Sequence, residues 1–275
     1  MISAFSYIYW NVNPELFKIG PLTVRWYGVL FALAFYCGFL IVQRMFRMER
    51  KKEQDLNSLL LYMVAGAVIG ARLGHCFFYE PDYYFKHPPE ILEIWRGGLA
   101  SHGGAAGILI AIYFYARRQR DQPYLWVMDR VVIPTALGGA FIRVGNLINS
   151  EILGVPTNVP WAFIFPQSKV DLLPRHPVQL YEALGYALIF VLLLTLYRRW
   201  RAQTPKGLIF GIFLVTVFGF RFFMEFLKQP QADYEQGLPL RVGQWLSIPF
   251  VVYGVFLIWR VARSKEGRTR LEIKL

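Results

Sequence analysis

The sequence predicts an all-α polytopic membrane protein with about seven transmembrane helices. Three observations predict it. Of 275 residues, 55% are hydrophobic and only 17% charged, outside the usual range of a soluble domain of this length. Seven apolar stretches each approach the roughly 20 residues that a bilayer core requires. The basic residues fall in short blocks between these stretches, and rich and poor blocks alternate.

In order, the stretches cover about 23–46, 57–79, 98–117, 124–147, 176–198, 206–228 and 243–262. The first starts at "VRWYG", where Arg25, Trp26 and Tyr27 suit an interfacial aromatic rim. The second carries Arg72 near one end. Glycine and polar residues dilute the third and fourth. The fifth opens at "PRHPVQLYE", where Pro177 fits a helix start. The sixth ends in "FRFFMEFLK", and "GQWLSIP" leads into the seventh.

One set of connections holds Arg44, Arg47, Arg50, Lys51, Lys52, then Arg117, Arg118, Arg120, then Arg198, Arg199, Arg201, Lys206. The tail adds Arg260, Arg263, Lys265, Arg268, Arg270 and Lys274. The other set has only Lys18, Arg25, Lys86, Arg96, Lys169, Arg175, Lys228 and Arg241. By the positive-inside rule the first set is cytoplasmic. Seven spans then place the N-terminus outside and the C-terminus inside. The net charge of +12 follows from this bias, so no nucleic-acid partner is expected.

The whole chain, 1–275, reads as one integral-membrane domain with an outward-facing loop cap at about 80–97 and 148–175. Trp95 and Trp161 suit loops lying at the interface. The first twenty residues lack a basic n-region and a small-residue cleavage site, so no signal peptide is expected. No internal repeat of the kind many transporters carry is evident. Cys37 and Cys76 lie inside apolar runs without metal-ligand spacing and read as packing cysteines; no metal site is expected.

Ionisable groups in hydrocarbon are costly unless paired or functional. Arg25, Arg72, His102, Arg143, Glu182, Arg221 and Glu225 all fall near the outward ends of their spans, which predicts a polar layer in the outer half of the membrane. Arginine outnumbers carboxylate in it, as a phosphate-binding layer requires, because guanidinium forks match phosphate oxygens and keep their charge. Asp129 and Arg130 lie near the cytoplasmic mouth and read as an interfacial pair or as snorkelling residues.

Four motifs supply the layer. In "SHGGAAG", His102 precedes Gly103 and Gly104, which let a backbone or ligand approach closely beside a neutral imidazole able to take a proton. In "FRFFMEF", Arg221 and Glu225 share a helix face four residues apart, as an internal ion pair or as an arginine oriented for a ligand. In "PRHPVQLYE", Glu182 is expected to pair with an arginine of the layer. In "RVGNLINSEILG", Arg143 and Asn146 share a face, and Asn149, Glu151 and Gly154 form the turn out of the membrane.

These motifs, with "WYG" before them and "GQWLSIP" after, occur in the order found in bacterial prolipoprotein diacylglyceryl transferases, and the chain resembles that family over essentially its whole length. The resemblance implies a plasma-membrane enzyme with its active site toward the outer leaflet. It would transfer the diacylglyceryl group of phosphatidylglycerol to the lipobox cysteine of a preprolipoprotein, forming a thioether and releasing glycerol phosphate, without metal or cofactor. Carried over, His102, Arg143 and Arg221 are catalytic. Tyr27, Gly103, Gly104, Asn146, Asn149, Glu151, Gly154 and Glu225 are substrate-binding. Ile142, Val217 and Lys228 depart from residues common at those positions in the family, so 217 and 228 receive no role and Lys228 is kept only as a candidate. The rival reading is a transporter or flippase for an anionic lipid or solute, using the same arginines for binding only.

Overall fold

The computed structural model describes residues 7–20, 22–168, 170–230, 239–264, 267 and 269, with the backbone alone at Leu22 and Arg96. Lys169, Lys265, Arg268, Arg270 and Lys274, counted above in the charge balance, lie outside the described residues. The chain forms two compact units: one runs up to Ile41 and resumes at Asp129, and the other is Val42–Met128.

Helix α1 (Trp26–Met48) and helix α5 (Tyr124–Ile148) pass from one unit into the other. The first unit holds three short strands before α1, β1 (Ile8–Tyr9), β2 (Glu15–Ile19) and β3 (Leu22–Arg25). After α5 come β4 (Phe163–Ile164), α6 (Val178–Trp200), α7 (Leu208–Met224) and α8 (Val242–Arg263). The second unit holds α2 (Glu53–Phe78), α3 (Pro81–Tyr84), two 3-10 turns at Pro88–Leu92 and Ile94–Arg96, and α4 (Ser101–Arg118).

Six helices among the described residues are long and apolar enough to cross a membrane: α1, α2, α5, α6, α7 and α8, with α6 and α7 each prolonged by a 3-10 turn. Their bounds follow the predicted stretches within a few residues. The stretch predicted at 98–117 is helix α4, but three of its 18 residues are charged or imidazole-bearing and three are glycine, which keeps it below that threshold. Side chains such as Leu61, Ile69 and Leu188 are more than half exposed on these helices. A soluble monomer rarely exposes so much contiguous apolar surface, whereas lipid solvates it.

In the first unit, α7 packs along α8 where Gly211 meets Gly254; a methyl on Gly211 would lie 3.0 Å from the Gly254 carbonyl oxygen. The Phe218 and Phe250 rings stack at 4.3 Å beside it. Helix α6 meets both α5 and α7 through Tyr186, whose ring covers Gly139 and stands edge-on to Phe220 at 5.9 Å. The loop after α5 is anchored by pairings that sequence reasoning did not foresee. Strand β1 pairs in parallel with β4, and the Trp10 indole donates to the Leu147 carbonyl at 2.9 Å. The N-terminal strands and the 148–175 loop therefore lie at the same end of α5.

Asp129 and Arg130 correct the reading of an interfacial or snorkelling pair. Both are fully buried. Asp129 accepts hydrogen bonds from the backbone N–H groups of Gly207 at 2.7 Å and Phe210 at 2.9 Å, capping α7. Arg130 lies over the Tyr197 ring at 5.8 Å.

In the second unit, α2 and α4 cross on glycines: Gly66 meets Gly107, and Gly70 and Gly74 meet Gly103, close enough that a side chain on any of them would strike the other backbone. The loop at 80–97 is folded into short helical turns. Arg72, assigned to the polar layer from its depth, instead donates to the carbonyls of Glu90, Ile91 and Gly97 at 2.6, 2.9 and 2.7 Å. Its charge satisfies carbonyls that the tight loop turns inward, so it tethers this loop. At the opposite end of the unit, Lys51 pairs with Asp121 at 2.6 Å and holds its carboxyl below the usual carboxylate range. Cys76 is buried and Cys37 half-buried, both as free thiols.

Candidate active site

The charged centre of the first unit is built by the ends of α5, α6 and α7. Helix α5 continues to Ile148, so Arg143 and Asn146 lie one turn apart on one face, as their spacing predicts. The Arg143 Nη1 donates to Asn146 Oδ1 at 3.3 Å, and Asn146 donates to Glu151 Oε1 at 2.8 Å. Asn149 donates to the same Glu151 oxygen at 3.2 Å. The signature residues thus form one hydrogen-bonded chain running from the helix into the turn. Ser150 and Ile152 flank Glu151 with φ of +52° and +57°, a left-handed backbone that costs about 1–3 kcal/mol per residue. Gln179 of α6 ties this turn down by donating to the Glu151 carbonyl at 2.7 Å. A cavity of ≈ 350 Å³ lined by Ser150, Glu151, Ser168 and Gln229 adjoins the turn.

Glu182 of α6 pairs with Arg143 as the motif predicts: its Oε2 lies 3.0 Å from Arg143 Nε. Its Oε1 lies 2.9 Å from Lys228 Nζ, and Lys228 also reaches Glu225 Oε2 at 3.1 Å. Neither contact of Glu182 has hydrogen-bond angles, so the attraction is that of paired charges. Glu182 is wholly buried and Lys228 almost so, which makes the pairing strong through low dielectric and costly to break.

Glu225 therefore pairs with Lys228, and the internal Arg221–Glu225 pair that the spacing allows is not made. Among the described residues Arg221 has no hydrogen-bond or ion-pair partner. It is half-buried near the end of α7. An unmatched arginine near the end of α7 and a carboxylate-held arginine near the end of α5 are groups able to accept an anion.

Further residues brace this centre. The Tyr27 ring lies on α5 at Gly145, where a side chain would meet it at 2.7 Å. Gly154 has no room for a side chain, since a Cβ there would lie 2.9 Å from the Cβ of His176 and strike its carbonyl. Its own carbonyl accepts from Arg175 Nη1 at 2.8 Å, and Gly154 forms an antiparallel bridge with Lys228. Arg241 binds the carbonyls of Glu225 and Lys228.

Sequence reasoning gave Lys228 no role beyond that of a candidate, and it did not single out Arg241 as part of this centre. The signal for Lys228 was present as a lysine three residues after Glu225, one helical turn on. The partner that matters most, Glu182, is distant in sequence. His102, Gly103 and Gly104 belong to the second unit. His102 is exposed there, without a carboxylate partner among the described residues, and the close approach that Gly103 and Gly104 permit is to α2. Among the described residues no cluster of His, Cys, Asp or Glu could hold a metal.

Residues 14–260 match the family model of prolipoprotein diacylglyceryl transferase. Curated relatives named phosphatidylglycerol–prolipoprotein diacylglyceryl transferase align over nearly their whole lengths. That of Chloroherpeton thalassium is 56% identical over 261 residues, covering 95% of this chain and 97% of its own. That of Tolumonas auensis is 50% identical over 258 residues, covering 94% and 99%. That of Bacteroides fragilis is 41% identical over 271 residues, covering 94% and 97%. The chain belongs to the prolipoprotein diacylglyceryl transferase family.

Proposed function

We propose that this protein is a transferase that moves the diacylglyceryl group of phosphatidylglycerol onto the thiol of a lipobox cysteine in a prolipoprotein, within the bacterial plasma membrane and toward its outer leaflet. The observation that carries this reading is a carboxylate-held Arg143 and an unmatched Arg221, each near the end of a membrane helix. Phosphatidylglycerol has a single phosphate anion at that depth, and its glyceryl carbon next to the phosphate is the electrophile.

In the reaction the thiolate sulfur attacks that glyceryl carbon, the carbon–oxygen bond to phosphate breaks, and glycerol phosphate leaves with the electron pair. Negative charge accumulates on the phosphate as the bond breaks. Arg143 and Arg221 stabilise this charge, and their effect is larger in a site without bulk water. Glu182 and Asn146 fix the guanidinium of Arg143, so little reorganisation is needed as charge develops. A thiol with pKa near 8.5 needs a proton acceptor, and His102 is our assignment for it. Asn149, Glu151, Gly154, Tyr27, Gly103, Gly104 and Glu225 shape the surroundings of the headgroup. In this reading the two units act as one transferase domain, with the basic connections on the cytoplasmic side.

The test uses the full chain in detergent, phosphatidylglycerol labelled in its diacylglyceryl part and a lipobox peptide. The expected result is label on the peptide cysteine and none on a Cys→Ser peptide. Phosphatidylglycerol binding without any covalent product would favour the transporter reading.

A further inference from the structure

Asp129 sits at the end of α5 opposite the charged centre, where sequence reasoning placed an unremarkable interfacial charge. It is wholly buried, and both of its oxygens accept from the first turn of α7, at Gly207 and Phe210. This ties α5 to α7 directly. Further along, Tyr186 of α6 bridges them, touching Gly139 of α5 and Phe220 of α7.

The spacing along the two helices is similar. Arg143 lies fourteen residues beyond Asp129, and Arg221 lies fourteen and eleven residues beyond its partners Gly207 and Phe210. At the helical rise Arg143 stands about 21 Å and Arg221 about 17–21 Å from the strap. Both helices run away from it in the same direction, so a shared starting level becomes a shared level for the two guanidinium groups. A side-chain cap supplied by the same helix would stabilise α7 equally well but would not set its height against α5.

We propose that Asp129 is a positioning residue that sets the axial register of α5 and α7, and so holds Arg143 and Arg221 level for one phosphate. This rests on the reading above that the two arginines share the phosphate of the donor lipid. No other function for a buried aspartate at this end is needed, because its two oxygens are already filled by N–H donors.

The test combines distance and kinetics in the full-length protein in phosphatidylglycerol nanodiscs. Spin labels at Ile142→Cys on α5 and Phe223→Cys on α7, in a Cys37→Ala, Cys76→Ala background, report the relative height of the helix ends. Asp129→Ala is expected to shift the label distance and to lower kcat/KM for phosphatidylglycerol by about 100-fold, as an ångström-scale misplacement does. Much of that loss is expected as a raised KM in protein that remains folded. Asp129→Asn keeps one acceptor oxygen and is expected to recover part of both readouts; it also serves if Asp129→Ala does not fold. An unchanged distance, or a lower yield of folded protein with KM unchanged, overturns the proposal. A shifted distance with unchanged kinetics also overturns it as a positioning role, and places the failure in the shared-phosphate reading, because the strap itself would then stand.

Discussion

The Nε of Arg143 lies 3.0 Å from Glu182 Oε2, deep in the first unit, and Lys228 holds the other oxygen of the same carboxylate at 2.9 Å. Glu182 thus orients Arg143 while its own charge is shared. Removing it leaves Arg143 and the buried Lys228 without their shared counter-charge. Glu182→Gln is expected to lower kcat/KM by at least about 100-fold, within the range that follows from misplacing one charged group. The check is initial-rate kinetics in detergent; a variant within about twofold of wild type would contradict the orienting role.

Lys228 is the second arm of this arrangement. Lys228→Met leaves Glu182 and Glu225 with one counter-charge fewer in a buried site, a change that typically costs about 3–5 kcal/mol. Lys228→Arg keeps the charge and is expected to retain most of the stability. Thermal unfolding in detergent decides it: a Met variant as stable as wild type would show that the lysine is dispensable.

The glycine contact between α2 and α4 gives a packing prediction. Gly107→Leu drives a side chain into the Gly66 backbone and is expected to cost about 1–3 kcal/mol or more. Gly28→Ala meets open space on α1 and is expected to be neutral or to stabilise by up to about 1 kcal/mol. The pair is compared by unfolding midpoints, with equal effects speaking against a close-packed crossing.

The loop after α5 carries a pH-dependent brace. Arg175 binds Asp171 at 2.8 Å and holds its carboxyl below the usual carboxylate range. A depressed pKa means that the brace contributes fully above the ordinary aspartate value near 3.9 and is lost as pH falls through the lower folded-state value. Limited proteolysis of the 155–175 segment is expected to rise below about pH 4 in wild type. In Asp171→Asn it is expected to be raised already at neutral pH. A profile identical in the two proteins would remove the brace from the account.

Much of this architecture was legible because lipid imposes long apolar runs, and the bounds of α1, α5, α6 and α8 fall where those runs do. Helix α4 was harder to weigh because glycine, weak on any hydropathy scale, is here the contact surface with α2. The Arg143–Asn146–Glu151 chain was readable since its members are neighbours on one helix and turn. Lys228 was not, because its value comes from Glu182 on another helix. Asp129 was still less readable, since its partners are backbone N–H groups that carry no sequence signature. Arg72 shows the converse error: depth alone placed it in the polar layer, whereas its partners are loop carbonyls.

The central claim is that Arg143 and Arg221 act on the phosphate that leaves. The most direct measurement follows glycerol phosphate release and mass gain on the lipobox peptide together, in wild type, Arg143→Ala and Arg221→Ala. The account predicts one glycerol phosphate per lipidated cysteine in wild type, with both signals lost in step in each variant while the folded protein persists. Full lipidation by either variant would contradict it.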